Sequence, residues 1–516
     1  MAFCTVLSAS VQGLGVEMIR VEADVSNGLP MFHMVGYLSS EVKEASERVR
    51  TAIRNSGMKL PAKKIIVNLA PATVRKKGAS FDLPIALAVL AAMGYIPEEA
   101  MERVIVTGEL SLEGKIRGVP GVLPMVIEAK EQGCKSFILP GENETEGRLV
   151  KGIEILPADN LEELCAYLNG AARSEKSKRE KKENEKNRQH RAREDFADIC
   201  GQKAVKRAAE IAVAGGHNLL MAGSPGSGKT MIAKRIATIL PELSWEESLE
   251  ITKIYSVLGL VDQEYPLITQ RPFRNVHHTI TRTALTGGGR IPMPGEISMA
   301  HGGVLFLDEL AEFPRNVLEV LRQPLEEHQI HIARNYGNFT FPAEFMLVAA
   351  MNPCPCGNYP DMQKCSCTPS QIQKYLGKIS QPFLDRMDLC IETPKVEYLE
   401  LDIERIGKKE EESSEVIRSR VVEARKLQKK RYEGTQIRTN SMLGPGEIRT
   451  YIPLGSAERK LMEKAFERMG LTARTYHKIL RVARTIADLD YSEKVTEKHL
   501  KEAIAYRSLD KKYWGR

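Results

Sequence analysis

Polar and apolar positions change rhythm along this chain, and the changes divide it. Up to about residue 170, short apolar runs such as KIIVNLA, RVIVTGEL and KSFILP alternate with SSEVKEASERVRTAIRNSG and DLPIALAVLAAMG. The runs read as strands and the longer periodic stretches as helices, which predicts an α/β domain over 1–170. Over 196–394, strand-like NLLMAG, VLFLDEL and FMLVAAMN are separated by helical segments. That is the pattern of a parallel sheet covered by helices. Beyond Pro394 the stretches EVIRSRVVEARKLQKKRY, SAERKLMEKAFERMG, ARTYHKILRVARTIADLD and TEKHLKEAIAYRSL keep a helical period, predicting a C-terminal α-helical domain over 395–516.

Both rhythms stop over 171–195. Arg173 to Glu194 holds ten Lys/Arg and five Asp/Glu with no apolar residue able to anchor a core, so it reads as a basic flexible linker. Most of the net charge of +7 therefore sits in one solvated stretch and does not by itself assign a nucleic-acid partner. A linker that also touches phosphates stays open. At 516 residues, with 42% hydrophobic and 27% charged residues, the chain fits several soluble domains. No apolar run approaches the roughly 20 residues that cross a bilayer. The first residues lack the pattern of a secretory signal, so a cytoplasmic protein with no membrane partner is expected. In that reducing setting Cys4, Cys134, Cys165, Cys200 and Cys390 read as small buried hydrophobes.

The candidate chemistry begins at GSPGSGKT, which follows the strand-like NLLMA and precedes a helical run. In a phosphate-binding loop of this form Gly223, Gly226 and Gly228 let backbone N–H groups turn inward around the phosphates, with Ser224, Pro225 and Ser227 completing the nucleotide-binding loop. Lys229 reaches the β- and γ-phosphates, the Thr230 hydroxyl binds Mg²⁺, and Met231 completes the nucleotide-binding set. Asp308 and Glu309 end the strand VLFLDEL, with Asp308 placed to hold Mg²⁺ and Glu309 to polarise the attacking water. Asn352 ends the strand FMLVAAMN and is placed to orient that water. ATP and Mg²⁺ are the expected cofactors.

With these residues in view, the sequence resembles the magnesium-chelatase-like branch of AAA+ ATPases, and specifically the ComM/YifB family, over almost its whole length. The resemblance rests on GGGRIPMPGEISMAHGGVLFLDELAEF, LRQPLEEHQIHIAR, FMLVAAMNPCPCGNY, ISQPFLDRMDL and TARTYHKILRVARTIADL. It implies a homo-hexameric ring whose ATP sites lie between subunits. Arg386 then looks like an arginine finger and Arg474 like sensor 2, roles that suit a planar, permanently charged fork. Arg386 could instead be an ordinary salt-bridge partner of Asp385 or Asp388. The resemblance further implies two pore-facing insertions, one carrying Gly287 to Gly289 and Arg290 as a flexible basic loop, the other a hairpin with Arg334 near its tip. Val276 departs from the proline common at that position, and His277 and His278 read as conformational residues or metal ligands.

Two features remain. CPCGNYPDMQKCSC, over 354–367, sets Cys354, Cys356, Cys365 and Cys367 in two C-x-C pairs, a spacing that suits a structural zinc ion. Reduced cysteines in a loop, or a redox-sensitive pair, are the alternatives. The first domain resembles the proteolytic domain of Lon-type proteases, clearest in GELSLEGKIRGVPGVLPMVIEAKEQGCKSFILPGEN. The resemblance sets Asp82 at the nucleophilic serine and Leu123 at the lysine of a Ser-Lys dyad, implying a catalytically silent domain, although Ser80 lies nearby. The expected function is an ATP-driven AAA+ motor on single-stranded or branched DNA, a helicase or branch-migration factor in recombination or natural transformation. A protein-remodelling motor, or less so a metal-chelatase motor subunit, competes with it.

Overall fold

The computed structural model describes residues 2–172, 194–334, 337–395 and 411–514. Nearly all of the basic linker read over 171–195, and the first part of the C-terminal region, lie outside these residues. The first half is built on a seven-stranded sheet ordered Met31–Val35, Lys64–Ala70, Gly15–Ser26, Ala2–Gln12, Val104–Val106, Ser136–Pro140, Glu154–Ala158. Ala2–Gln12 and Gly15–Ser26 form a long antiparallel hairpin, and the last three strands extend it in parallel. Helix Ser40–Asn55 buries Val42, Ala45, Val49, Ala52 and Ile53, a single stripe at helical spacing that packs on one face. Asp82–Ala92 is buried almost all round, and Val122–Glu131 covers the opposite face with its own core around Leu123, Val126 and Phe137.

The second sheet is wholly parallel: Phe273–Val276, Val304–Leu307, Met346–Met351, Leu219–Ala222, Leu389–Glu392. Its three inner strands are buried at every position, which is why they read as unbroken apolar runs. Leu219 pairs with Leu389 and Ala222 with Glu392, so the loops after Ala222, Leu307, Met351 and Glu392 all open at the carboxyl edge.

The C-terminal helices do not form a core of their own. Val421 of helix Ser414–Arg431 and Ile479 of helix Ala473–Leu489 share one continuous core with Val213 and Leu219. A buried polar tie joins the same parts: Asp388 faces Lys478 at 3.5 Å and accepts from the Asn218 backbone N–H at 3.0 Å. Despite full burial, the Lys478 ammonium, with His217 beside it, holds the Asp388 carboxyl below the usual range.

The two halves meet along helix Trp245–Val257. Ser256 Oγ donates to the buried Glu146 carboxylate at 2.5 Å, the Gly121 N–H donates to the Ser256 carbonyl at 2.8 Å, and Leu249 packs on the first domain's second core. Among the scattered cysteines, Cys4, Cys165 and Cys390 are buried as expected, whereas Cys134 and Cys200 are only partly covered.

Candidate active site

The chain leaves the buried strand at Ala222, turns through Gly223 to Gly228 and enters helix Lys229–Ile236. Gly223 is required by space: a Cβ there would stand 2.4 Å from the Thr393 carbonyl oxygen at the end of the neighbouring strand. Gly228 sits at the helix start with φ of 81°, left-handed backbone that favours glycine. The loop is held from outside by Gln202, whose Nε2 donates to the Ser227 carbonyl at 2.9 Å and to the Pro394 carbonyl at 3.2 Å. No sequence pattern pointed to Gln202.

Lys229 Nζ donates to the carbonyls of Gly223 at 2.8 Å and Ser224 at 2.9 Å, and to Asn352 Oδ1 at 3.3 Å. Burial pulls its ammonium below the ordinary value, opposed by the carboxylates of Asp308 and Glu309. Thr230 Oγ1 donates to Asp308 Oδ2 at 2.7 Å, placing an oxygen pair suited to a hard cation beside the lysine. Asp308 Oδ1 accepts from the Glu309 N–H at 2.9 Å. The structure thus brings together Lys229, Thr230, Asp308 and Asn352 from three strands. Ser224 and Met231 stand at the loop's solvent side, with Met231 exposed on the first helical turn.

Glu309 has φ of 52°, a strained left-handed conformation for a non-glycine residue, and its carboxylate is exposed. Its Oε2 lies 3.5 Å from His278 Nδ1. His277 and His278 face one another at 4.1 Å, and among the described residues the one group spaced for a metal is the four cysteines. His278 therefore meets the candidate base, a contact that strand and motif spacing could not reveal, while His277 Nδ1 pairs with Thr279 Oγ1 at 2.9 Å.

Arg386 is not part of this cluster. It precedes strand Leu389–Glu392 and so lies at the amino edge of the sheet, with its backbone carbonyl bonded to Asn218 at 3.0 Å. Four strand residues, roughly 13 Å, separate it from the carboxyl edge. Its guanidinium is buried against Glu326 at 2.5 Å, so its ion pair is with neither Asp385 nor Asp388. Arg474 stands at the same edge, 3.9 Å from Asp385 and largely exposed.

The two inserted elements also differ from a bare loop. Gly287–Gly288 pairs antiparallel with Met293–Pro294, and a Cβ at Gly287 would meet the Met293 carbonyl oxygen at 2.3 Å. The glycines serve close backbone approach rather than flexibility. The hairpin Gln329–Arg334 with Gly337–Pro342 brings Arg334 alongside, its Nη2 3.9 Å from a Cβ position at Gly288. In the first domain, Asp82 is buried and accepts from Arg48 Nε and Nη2 at 2.8 and 2.9 Å, while Leu123 is buried with its N–H donating to Glu146. A buried lysine, Lys76, which the sequence did not single out, is lowered to about 8 by burial and donates to the Pro71 carbonyl.

The four thiols lie close together. Cys354, Cys356, Cys365 and Cys367 place all their Sγ atoms within 4.8 Å of one another. The Asn358 N–H lowers the Cys356 thiol to about 6.

Comparison with known proteins agrees along the whole chain. Residues 195–401 match the family described as magnesium chelatase, subunit ChlI; 21–143 match a second ChlI family, and 411–507 the ChlI C-terminal family. The uncharacterized protein YifB of Escherichia coli is 44% identical over 513 residues, covering 99% of this chain and 98% of YifB. The competence protein ComM of Haemophilus influenzae is 41% identical, again over 99% and 98%. Lon protease 2 of Bacillus subtilis is 32% identical over 126 residues, 24% of this chain and 22% of that protease.

Proposed function

This chain belongs to the YifB and ComM family of magnesium-chelatase-like AAA+ ATPases, and on that premise we propose that it is a ring-forming motor acting on DNA. The observation that carries the ring is the separation of Arg386 from Lys229 by the length of the sheet. An arginine at the amino edge is out of reach of its own subunit's phosphates but can face a neighbour's, and heterologous contacts whose rotation closes form rings. We take the ring to be a homo-hexamer. Arg474, beside Arg386 at that edge, belongs to the same interface.

Within each site Lys229 binds the β- and γ-phosphates, Glu309 takes a proton from the attacking water, and Asn352 holds the lysine and water in register. Thr230 and Asp308 would hold Mg²⁺, which would supply charge neutralisation on the phosphates. Cys354, Cys356, Cys365 and Cys367 would hold a zinc ion, structural because four protein thiolates leave no open position for catalysis. The first domain is silent as a protease, because Asp82 is consumed by Arg48 and Leu123 has no amine.

The DNA reading is supported by the paired insertions that present Arg334 and by similarity to a competence protein. Branch migration of recombination intermediates is its sharpest form. A second reading, protein remodelling, is favoured by the edge strand Met31–Val35, where Leu29, Met31 and Val35 are exposed as a docking strip. The two are separated by ATP hydrolysis of the purified protein with single-stranded DNA, four-way DNA and unfolded protein. Stimulation by DNA is expected; stimulation by unfolded protein alone would sink the DNA reading.

A further inference from the structure

The cysteine turn leans on the phosphate loop. Gly357 has φ of 77°, and a Cβ there would stand 2.2 Å from Pro225 Cδ and 2.8 Å from its Cγ. Pro225 is thus walled on one side by the backbone between the two C-x-C pairs. Cys354 is fully buried and lies two residues after Asn352, whose Oδ1 accepts from Lys229. On the far side Tyr359 packs on Tyr513 with ring centres 6.1 Å apart, and the Tyr513 hydroxyl donates to Glu392 at 2.8 Å. The turn therefore touches the phosphate loop, continues from the Asn352 strand, and packs on Tyr513, which in turn bonds the last strand of the sheet.

Residues 353–367 contain neither helix nor strand. Local turn bonds shape each half: the Gly357 N–H donates to the Cys354 carbonyl at 3.0 Å and the Cys365 N–H to the Asp361 carbonyl at 2.8 Å. The set of sulfurs joins the two halves. The closest Sγ separations are 3.4, 3.6 and 3.8 Å. Ligands on a tetrahedral zinc with Zn–S near 2.3 Å stand about 3.8 Å apart, so the four thiols fit that ion with little adjustment. The Tyr359 N–H donates to Cys354 Sγ at 3.4 Å, an outer hydrogen bond of the sort that orients a metal-bound thiolate.

We infer that the four-cysteine turn, closed by a zinc-class cation, is a positioning brace for the phosphate loop, and that metal occupancy sets nucleotide affinity through Gly357 against Pro225. The inference rests on the reading of Gly223 to Thr230 as an ATP site. Binding free energy at a metal cross-link is folding free energy for the segment it closes, so losing the ion frees the turn, and the wall behind Pro225 goes with it. The bound phosphates then lose a fixed cradle, and ordering the loop anew is subtracted from the affinity.

The test uses the full-length protein, with metal content by mass spectrometry, affinity by titration of a fluorescent ATP analogue, and folding by circular dichroism. Wild type should carry about one zinc per chain. The double variant C365S/C367S should lose the metal and bind the analogue at least about tenfold more weakly. Gly357→Ala should keep the metal and still weaken binding, because its clash is with Pro225 and not with the sulfurs. Pro225→Gly alone is the reference for suppression, and adding it to Gly357→Ala should return affinity to the level of Pro225→Gly. If C365S/C367S fails to fold, Gly357→Ala and its suppression decide the matter. Wild-type protein without zinc, a folded metal-free variant of unchanged affinity, or Gly357→Ala binding like wild type would each overturn the brace. Wild type that binds no nucleotide would instead overturn the ATP-site reading beneath it.

Discussion

Glu309 is the residue where the sequence and the structure add most to one another. Its place after an apolar strand marked it as a base, and the structure adds a left-handed backbone and a histidine 3.5 Å away. A side chain whose task is proton transfer should be dispensable for binding. Glu309→Gln is expected to bind the fluorescent ATP analogue as wild type does while turnover falls by about 100-fold or more. Turnover within a few-fold of wild type would assign the base elsewhere. Asp82 makes the converse point: a carboxylate at a nucleophile's position is explained by its buried, bidentate pair with Arg48.

At the scale of elements, the inserted strands decide what the motor can grip. The hairpin over 329–342 and the Gly287–Gly288 strand meet at Arg334, although residues 289–328, including the strand Val304–Leu307, lie between them. If this is a DNA contact, Arg334→Ala should leave basal hydrolysis unchanged, weaken binding to single-stranded DNA across all sequences and reduce the salt slope by about one. Binding isotherms at several salt concentrations measure it. The five-stranded sheet itself was legible because its inner strands are buried on both faces and therefore apolar throughout. Its neighbours were not, since the order that seats the Asn352 strand between the phosphate-loop strand and the Asp308 strand is set by crossovers, not by composition.

At the scale of the whole molecule, the proposed function splits the catalytic set between two edges of one sheet. This gives a direct expectation for mixed rings. Arg386→Ala and Glu309→Gln should each be nearly inactive alone, the former by the roughly 10³-fold or more that an arginine finger contributes. Mixed in equal amounts, they should regain activity at roughly a quarter of sites, where an intact Glu309 faces an intact Arg386 across the interface. Mixtures as inactive as their components would place the arginine outside the neighbour's site. The sequence by itself determined the nucleotide chemistry, the strand and helix content and the cysteine set, because each depends on residue type at short spacing. The family resemblance supplied the readings of Arg386 as an arginine finger and Arg474 as sensor 2. Only the tertiary structure put those two arginines at the edge away from the phosphate loop, brought His278 to Glu309, docked Ser256 on Glu146 and set Gly357 against Pro225. These are contacts between residues far apart in the chain or on opposite sides of a turn. They follow from how crossovers bring the sheet together, which local periodicity does not encode.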